Sequence, residues 1–306
     1  MDTEKYLQQI LDGQNLDEEQ NKALLAARDE IEELLTEAFK DCNPTIRYGG
    51  SKIKRTMIKI LFDLDIICYF LHDDTSAGET LEEIYQNVRN LLADNYLVEE
   101  KKSALRIKSK ASDTYGVDFH VDVVPGRFVD KSKTDAYIYQ SLGDKKWLKT
   151  NLDTHIKHIR DSGFVDIIRL AKLWNEKFGL GVKTFVLELL VVKYAKKTEE
   201  EPLTNGIKSF WENISAKRSK LSIEDPANPD GNDLSPIFDD NTKDMLAQYA
   251  DRALQNIDDD DWKSIFGEHE PLDEKEKAAA ILTLASSQSN APRPYAIGDE
   301  ENVVPK

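Results

Sequence analysis

Two aspartates alternate with apolar residues in the segment Phe62-Asp63-Leu64-Asp65-Ile66, and this spacing constrains the fold more than any other feature of the chain. Successive side chains of a β-strand point to opposite faces, so both carboxylates share one face while the apolar residues bury the other. Two carboxylates this close repel each other unless a divalent cation lies between them. Their oxygens suit Mg²⁺ that carries the phosphates of a nucleotide. The segment therefore predicts a strand that also supplies metal ligands, Asp63 and Asp65.

A glycine-rich element, Gly49-Gly50-Ser51, precedes this strand, with Thr56 between the two. Glycines let the backbone approach a phosphate closely, and the turn that follows points free N–H groups at the anion. Such a tripeptide alone is more often an ordinary turn, but its position before the Asp-x-Asp strand favours a phosphate site. Gly50, Ser51 and Thr56 are the candidate phosphate contacts. Basic residues that could assist them crowd the same segment: Lys52, Lys54, Arg55 and Lys59.

A third carboxylate is expected, because a two-metal site holds one ion on the triphosphate and another at the attacking hydroxyl. Asp122 is the candidate, since an acid among the valines of segment 117–125 is costly to bury unless it is paired or metal-bound. It is also the candidate general base. The alternative is an acid at a strand end that faces water, which is the favoured interpretation for Asp118. Three basic residues alternate along the preceding strand and indicate either phosphate contacts or, more simply, a solvated strand face: Arg106, Lys108 and Lys110.

Composition narrows the classes of function. The chain has 306 residues, is 40% hydrophobic and carries a formal net charge of −16, which argues against an extended surface for polymeric nucleic acid. It has no apolar run long enough for a membrane span and no signal-peptide pattern near its start, so a cytoplasmic protein is expected. The two cysteines, Cys42 and Cys68, are expected to be reduced.

Hydrophobic periodicity predicts a mixed front half and a helical back half. The front half begins with a long amphipathic helix at 17–40. It continues with a short basic turn or helix at 51–59, the aspartate strand to 70, a helix at 80–96, and strands at 104–110 and 117–124, the last ended by Pro125-Gly126. Helices are predicted in the back half at 153–160, 165–178, 184–196, 204–217, 235–257 and 274–286.

These motifs carry a family resemblance. The order Gly-Gly-Ser, Asp-x-Asp and Asp122 in a Val-Asp-Val-Val-Pro strand resembles the polymerase-β-like nucleotidyltransferase superfamily. Segments 168–174, 185–190 and 225–232 of the back half are similar to those of 2′-5′-oligoadenylate synthases. Because the chain is compact and lacks a zinc insertion, it most resembles the bacterial cGAS/DncV-like nucleotidyltransferases, the messenger synthases of CBASS anti-phage operons.

The resemblance implies an α+β fold, in which a polymerase-β-like catalytic core with a mixed sheet and a long N-terminal spine helix is joined to a C-terminal helical domain. We expect the core at 1–150, the helical domain at 151–286 and a flexible tail at 287–306. The resemblance also implies that Lys172 contacts the donor triphosphate and that Lys183 and Thr184 make polar contacts to the nucleotide. Without it, Lys172 would be interpreted as a surface lysine. Arg55 departs from the family, which commonly has glycine before this threonine.

The predicted function is the joining of nucleoside triphosphates, including ATP, into a cyclic or short linear oligonucleotide with release of pyrophosphate. Mg²⁺, with Mn²⁺ as a substitute, is the expected cofactor, held by Asp63, Asp65 and Asp122. A monomer is expected, with the tail available to a regulatory partner. Two alternatives stay open: an enzyme that extends RNA ends, of the CCA-adding or poly(A) polymerase type, and a catalytically silent nucleotide sensor.

Two further features remain open at this point. Segment 225–232 either lines the pocket for the base or is a purely structural corner. His155 and His158 lie three residues apart on a predicted helix, but no third ligand accompanies them. A polar helix face is the favoured interpretation of the two histidines.

Overall fold

The computed structural model describes residues 2–61, 63–109, 120–142 and 145–268, and the side chains of Asp63, Ser109 and His120 lie outside that description. The predicted helix at 274–286 and the predicted tail at 287–306 are also outside it, as are Lys110 and Asp118. Within the described ranges, no helix has the length and apolar character that crossing a bilayer requires. The proposed division into domains stays a prediction.

The described residues form a seven-stranded mixed sheet. Its strands are β1 Thr45–Gly49, β2 Asp63–Phe70, β3 Tyr96–Glu100, β4 Leu105–Ser109, β5 His120–Phe128, β6 Ala136–Tyr139 and β7 Trp147–Thr150. The spatial order is β1-β2-β5-β4-β3, and β6 pairs with both β5 and β7. Strands β2 and β5 are parallel, whereas the other pairs are antiparallel. The two strands with the candidate aspartates are therefore direct neighbours.

Ten α-helices lie within the same ranges. They are α1 Thr3–Asp12, α2 Glu18–Ala38, α3 Gly50–Lys54, α4 Leu81–Asn95, α5 Leu152–Arg160, α6 Val165–Lys177, α7 Thr184–Tyr194, α8 Pro202–Lys217, α9 Asp240–Asp258 and α10 Trp262–Phe266. The predicted spine helix is confirmed as α2. It begins at a capping box in which Asp17 accepts a hydrogen bond from the Gln20 backbone N–H and the Gln20 side chain accepts one from the Asp17 N–H.

The two faces of the sheet differ. Leu64, Ile66, Cys68 and Phe70 of β2 are buried in one core with α2 and α4, as the alternation of the strand requires. The opposite face carries Asp65 and, further along β2, a smaller apolar cluster around Tyr69. A third core fills the helical half and includes residues of α1, an element the sequence pattern did not predict. The helical core contains Trp174 and Trp211, neither of which is exposed.

The expectation that Pro125-Gly126 ends its strand is wrong, because β5 continues to Phe128. Residues 121–123 of β5 pair with β4, whereas residues 126–128 pair with β6. Pro125 lies at the change of partner, where a residue without an N–H interrupts neither ladder. Gly126 lies so close to β6 that a Cβ atom would be 2.6 Å from the Tyr137 carbonyl oxygen.

The single helix predicted at 235–257 is also corrected. Ser235–Ile237 is a separate turn of 3₁₀-helix, and α9 begins only at Asp240. The side chain of Asp239 accepts hydrogen bonds from the Thr242 backbone N–H and hydroxyl, which fixes the new helix start. The remaining helices of the back half that fall within the described ranges agree with the prediction to within a few residues.

Candidate active site

Four residues from four adjacent strands form one row across the sheet. Gly49 of β1 is in register with Asp65 of β2, Asp65 with Asp122 of β5, and Asp122 with Arg106 of β4. Residues in register point to the same face, and neighbouring strands lie about 4.8 Å apart. The fold thus places two of the three predicted carboxylates side by side.

Asp63 is two residues before Asp65 on β2, and its backbone is in register with His120. Its side chain is not described, so its part in the predicted trio stays a prediction. Among the described side chains, no group of three His, Cys, Asp or Glu residues is arranged to hold a metal. The complete ligand set therefore stays a prediction, with Asp65 and Asp122 brought together by strand register.

Arg106 makes a two-point ion pair with Asp122. Its Nε donates to Oδ1 at 2.8 Å and its Nη2 donates to Oδ2 at 2.7 Å. The pair is largely buried, with side-chain exposures of 25% for the arginine and 13% for the aspartate. Parallel hydrogen bonds between a guanidinium and a carboxylate combine charge with fixed geometry. The prediction of a solvated basic strand face is therefore wrong for Arg106, whereas Lys108 is exposed.

Gly50 is required by the position of Asp65. Its φ is +72°, in the left-handed region, and a Cβ atom there would lie 1.7 Å from Oδ2 of Asp65. The preceding glycine, Gly49, has φ −122° and room for a Cβ at ordinary contact distances. Ser51, which follows, is buried. The glycine element and the aspartate strand are therefore in direct contact, as a joint site for metal and phosphate would need.

Arg55 has a positive φ of 64° and ends α3 in the left-handed conformation. This is a conformation that glycine adopts without strain, which gives a structural reason for the glycine that the family commonly has here. The Arg55 side chain is exposed, so its bulk is accommodated at the surface.

A buried ionic network joins the segment after α3 to the helical half. Glu188 of α7 accepts hydrogen bonds from the Thr56 hydroxyl at 2.7 Å, from Lys172 Nζ at 2.8 Å and from Lys54 Nζ at 2.5 Å. Lys172 Nζ also donates to both the carbonyl and the hydroxyl oxygen of Thr56, each at 3.0 Å. Lys172 is 3% exposed and Glu188 is not exposed at all. The surface-lysine interpretation of Lys172 is wrong, and its contact with a triphosphate stays a prediction.

The charges of this network determine the protonation state of Glu188. Burial by itself would raise the pKa of the carboxyl, but the ammonium groups of Lys54 and Lys172 and their hydrogen bonds lower it to about 2. Glu188 is therefore a carboxylate at neutral pH. Its role was not predicted, although the lone acid in the apolar segment 185–190 is a signal that a charged partner lies close to it in the fold.

Two other basic residues near the glycine element also have protein partners. Lys52 Nζ donates to Oδ1 of Asn21 at 2.7 Å, and burial together with the nearby charge of Arg28 lowers the pKa of Lys52 to about 8. Lys59 lies 3.4 Å from a carboxylate oxygen of Asp17. These contacts fix the segment against the spine helix.

Lys183 and Thr184 lie at the start of α7, where Lys183 is the N-cap residue and both side chains are exposed. The helix has no side-chain cap among its described contacts. Its first backbone N–H groups carry partial positive charge, which suits an anion. The contact of both residues with a nucleotide stays a prediction.

The segment at 225–232 is a hydrogen-bonded corner centred on Asp225, which is 1% exposed. Its carboxylate bonds with His155 at 2.6 Å and accepts from the backbone of Ala227 and the side chain of Asn232. Burial tends to raise the pKa of Asp225, but these hydrogen bonds lower it overall. Asn228 donates to the Lys149 carbonyl, which ties the corner to β7. These contacts favour the structural interpretation, and they give His155 a partner other than a metal.

Comparisons with known proteins agree with the fold that the strand order and the site geometry indicate. No protein-family model matches the chain. Its fold is similar to that of solved bacterial CD-NTases and cyclic dinucleotide synthases. It resembles Escherichia coli MS115-1 CdnC, solved with ATP, with a TM-score of 0.67 and 17% identity over 87% of this chain and 98% of that one.

Two further solved structures have a fold similar to that of this chain. Bradyrhizobium diazoefficiens CdnG, in complex with GTP, has a TM-score of 0.65 and 10% identity over 93% of this chain and 99% of that one. Vibrio cholerae DncV, a cyclic AMP-GMP synthase, has a TM-score of 0.59 and 16% identity over 79% and 75% of the two chains. A probable cyclic nucleotide synthase of Bacillus cereus (strain VD146) is 24% identical over a match that covers 74% of this chain and 82% of that protein. The expected resemblance and the α+β fold are confirmed.

Proposed function

We propose that this protein joins nucleoside triphosphates, ATP among them, into a cyclic or short linear oligonucleotide and releases pyrophosphate. The observation that carries the proposal is the register of Asp65 with Asp122 on neighbouring parallel strands, with Gly50 in contact with Asp65. The similarity to cyclic nucleotide synthases supports it. By the same similarity we propose a role in anti-phage signalling in the bacterial cytoplasm.

The residues present fit a divalent cation. Asp65 and Asp122 offer hard oxygen ligands from adjacent strands, and the guanidinium of Arg106 already stands as a positive charge at Asp122. Asp63, Asp65 and Asp122 would hold Mg²⁺, or Mn²⁺ in its place. When bound, the metal would polarise the α-phosphate of the donor and lower the pKa of the attacking hydroxyl.

The protein residues have distinct parts in the reaction. The acceptor hydroxyl oxygen would attack the α-phosphorus of the donor, the bond to the bridging oxygen of the β-phosphate would break, and pyrophosphate would leave. Asp122 would assist removal of the hydroxyl proton. Gly50 and Ser51 would lie against the donor phosphates, with Lys183 and Thr184 as further polar contacts.

Besides the predicted contacts of Thr56 and Lys172 with the donor phosphates, the two residues would have an indirect part in this arrangement. Both bond to Glu188 and to each other, and this network holds the end of the Gly50–Arg55 segment in place. A phosphate held by that segment would thus depend on residues of α6 and α7. Precise positioning of this kind contributes strongly to group transfer.

Incubation of the purified protein with labelled nucleoside triphosphates and Mg²⁺ or Mn²⁺ tests the proposal. A phosphatase-resistant product and pyrophosphate are expected, and mass spectrometry identifies the product. The Asp65→Asn variant, which keeps the side-chain shape but loses the charge, should lower the rate by at least about a hundredfold. Asp41→Asn is the matched control, because Asp41 is exposed.

Three results would count against the proposal. Undiminished product from Asp65→Asn would exclude this site. Lengthening of an added tRNA or oligo(A) would favour the RNA-extending alternative, which the net charge of −16 disfavours. Nucleotide binding without pyrophosphate release would favour a silent sensor.

A further inference from the structure

Arg106 is bonded to the Asp122 carboxylate, which is the group that would also bind a metal. Both oxygens of Asp122 accept a hydrogen bond from the arginine fork, one from Nε and one from Nη2. Asp122 is 9% exposed as a residue, so little water is available to replace these bonds. A carboxylate that is satisfied in this way is less available to a second cation.

The position of the arginine is set by the sheet and not by a flexible loop. Arg106 and Asp122 are in register on β4 and β5, and Asp122 is in register with Asp65 on its other side. The three side chains therefore stand in line on one face, with the carboxylate of Asp122 between another carboxylate and a guanidinium. A divalent cation held by Asp65 and Asp122 would bring two positive charges close to the charge of Arg106, and like charges that are close together repel.

We propose that Arg106 is a built-in competitor of the divalent cation at Asp122, so that its guanidinium must release the carboxylate before Asp65 and Asp122 hold a metal together. The inference rests on the proposed function. Arg106 is a positioning residue that acts through Asp122. In the metal-free protein it reduces the repulsion between the two neighbouring carboxylates, and it raises the metal concentration that the site needs.

A different role for Arg106 predicts the opposite behaviour. If its purpose were to bind a phosphate, its removal would weaken nucleotide binding and leave the affinity for a metal alone unchanged. If it were only a structural ion pair, its removal would destabilise the fold without a gain in metal affinity. Metal binding measured without nucleotide therefore separates the three roles.

The experiment compares Mn²⁺ binding by the full chain and its Arg106→Gln variant at neutral pH without nucleotide, followed by electron paramagnetic resonance of the free ion. The variant should bind Mn²⁺ on the order of tenfold more tightly, because a charged hydrogen-bonded pair no longer has to be broken. Lys108→Gln is the matched control. It removes the same charge from the same face of β4 at an exposed position and should change the affinity less than about twofold.

A second variant and a second measurement guard against misfolding of the first. Arg106→Lys keeps the charge but loses the fork, so its Mn²⁺ affinity should fall between those of wild type and Arg106→Gln. Thermal unfolding should show a lower midpoint for metal-free Arg106→Gln than for wild type, and a larger upward shift when Mn²⁺ is added.

Unchanged or weaker Mn²⁺ binding in both Arg106 variants would overturn the inference, and so would an equal gain in Lys108→Gln. Absence of Mn²⁺ binding in every protein, wild type included, would overturn it together with the proposed metal site. The wild-type product assay decides the proposed function separately, since it does not depend on the comparison between variants.

Discussion

Gly50 is the residue at which the backbone and the candidate metal ligand meet most closely. Its φ of +72° is strained for any other residue, and a Cβ atom would lie 1.7 Å from the Asp65 carboxylate. The atom in the way is the far end of a side chain, so an alanine would push the carboxylate aside and leave the strand in place. We therefore expect Gly50→Ala to cost about 1–2 kcal/mol of stability. Activity should fall by about a hundredfold or more, because the carboxylate is displaced.

Gly49 provides the control for this substitution one residue earlier. A Cβ atom there would contact Leu152, Asp65 and Ile67 at 3.4–3.6 Å, which are ordinary distances, and the residue has a negative φ. Gly49→Ala should retain most of the product formation and the unfolding midpoint of the wild type. Nucleotide turnover and urea unfolding of the two variants are the measurements. Equal activity in the two would show that the contact between Gly50 and Asp65 has no role in turnover.

At the scale of elements, α8 begins without a cap of its own. Its N-cap residue, Glu201, makes no side-chain capping bond, and Pro202 follows as the first helical residue. The cap comes from α1, where Glu4 accepts hydrogen bonds from the backbone N–H groups of Leu203 and Thr204 and from the Thr204 hydroxyl. A carboxylate at a helix N-terminus satisfies free donors and favours the helix dipole.

We predict that Glu4→Ala lowers the free energy of unfolding by about 1–2 kcal/mol, since it leaves these donors without their acceptor. Lys5→Ala is the control, because Lys5 is exposed on the same helix and its change should have an effect below about 0.5 kcal/mol. Urea unfolding followed by circular dichroism measures both. Equal stability of Glu4→Ala and wild type would show that α1 does not hold the start of α8.

A helix or strand can be predicted from the sequence when burial of one face gives its apolar residues a regular spacing. The helix α2 and the strand β2 are buried along one face, so a period of 3.6 or 2 residues is visible in each. By contrast, β3 is a short strand at the end of the sheet whose residues are partly or fully exposed. Its residues show no burial pattern, and the prediction missed it. The strand β7 was missed for the same reason, because three of its four residues are not buried.

At the scale of the whole molecule, the site divides into a part that local sequence determines and a part that it does not. The alternation around Asp65 and the glycine at 50 are local patterns, and the structure brings these two residues into contact. The pairing of Glu188 with Lys54 and Lys172 joins residues 134 and 16 positions apart, and no local pattern indicates which partner each charge selects. Tertiary packing decides it, as it decides the pairing of Arg106 with Asp122.

Charged groups of the Glu188 network also join the sheet half to the helical half. The free energy of unfolding should therefore depend on pH in a predictable way. The pKa of Glu188 is about 2 in the folded protein and 4.5 without these contacts. Because the folded value is the lower one, the stabilisation is fully present above about pH 4.5 and is lost as the pH falls towards 2. We predict that Glu188→Gln lowers the free energy of unfolding at pH 7 by about 3 kcal/mol.

The difference between wild type and Glu188→Gln should therefore shrink steadily when urea unfolding is repeated between pH 4.5 and pH 3. Glu212→Gln is the control, because Glu212 is exposed on α8 and should have an effect below about 0.5 kcal/mol at each pH. The glutamine retains a carbonyl oxygen for the Thr56 hydroxyl, so the variant tests the charge and not the shape. A difference that stays constant down to pH 3 would mean that Glu188 is not the carboxylate on which the junction of the two halves depends.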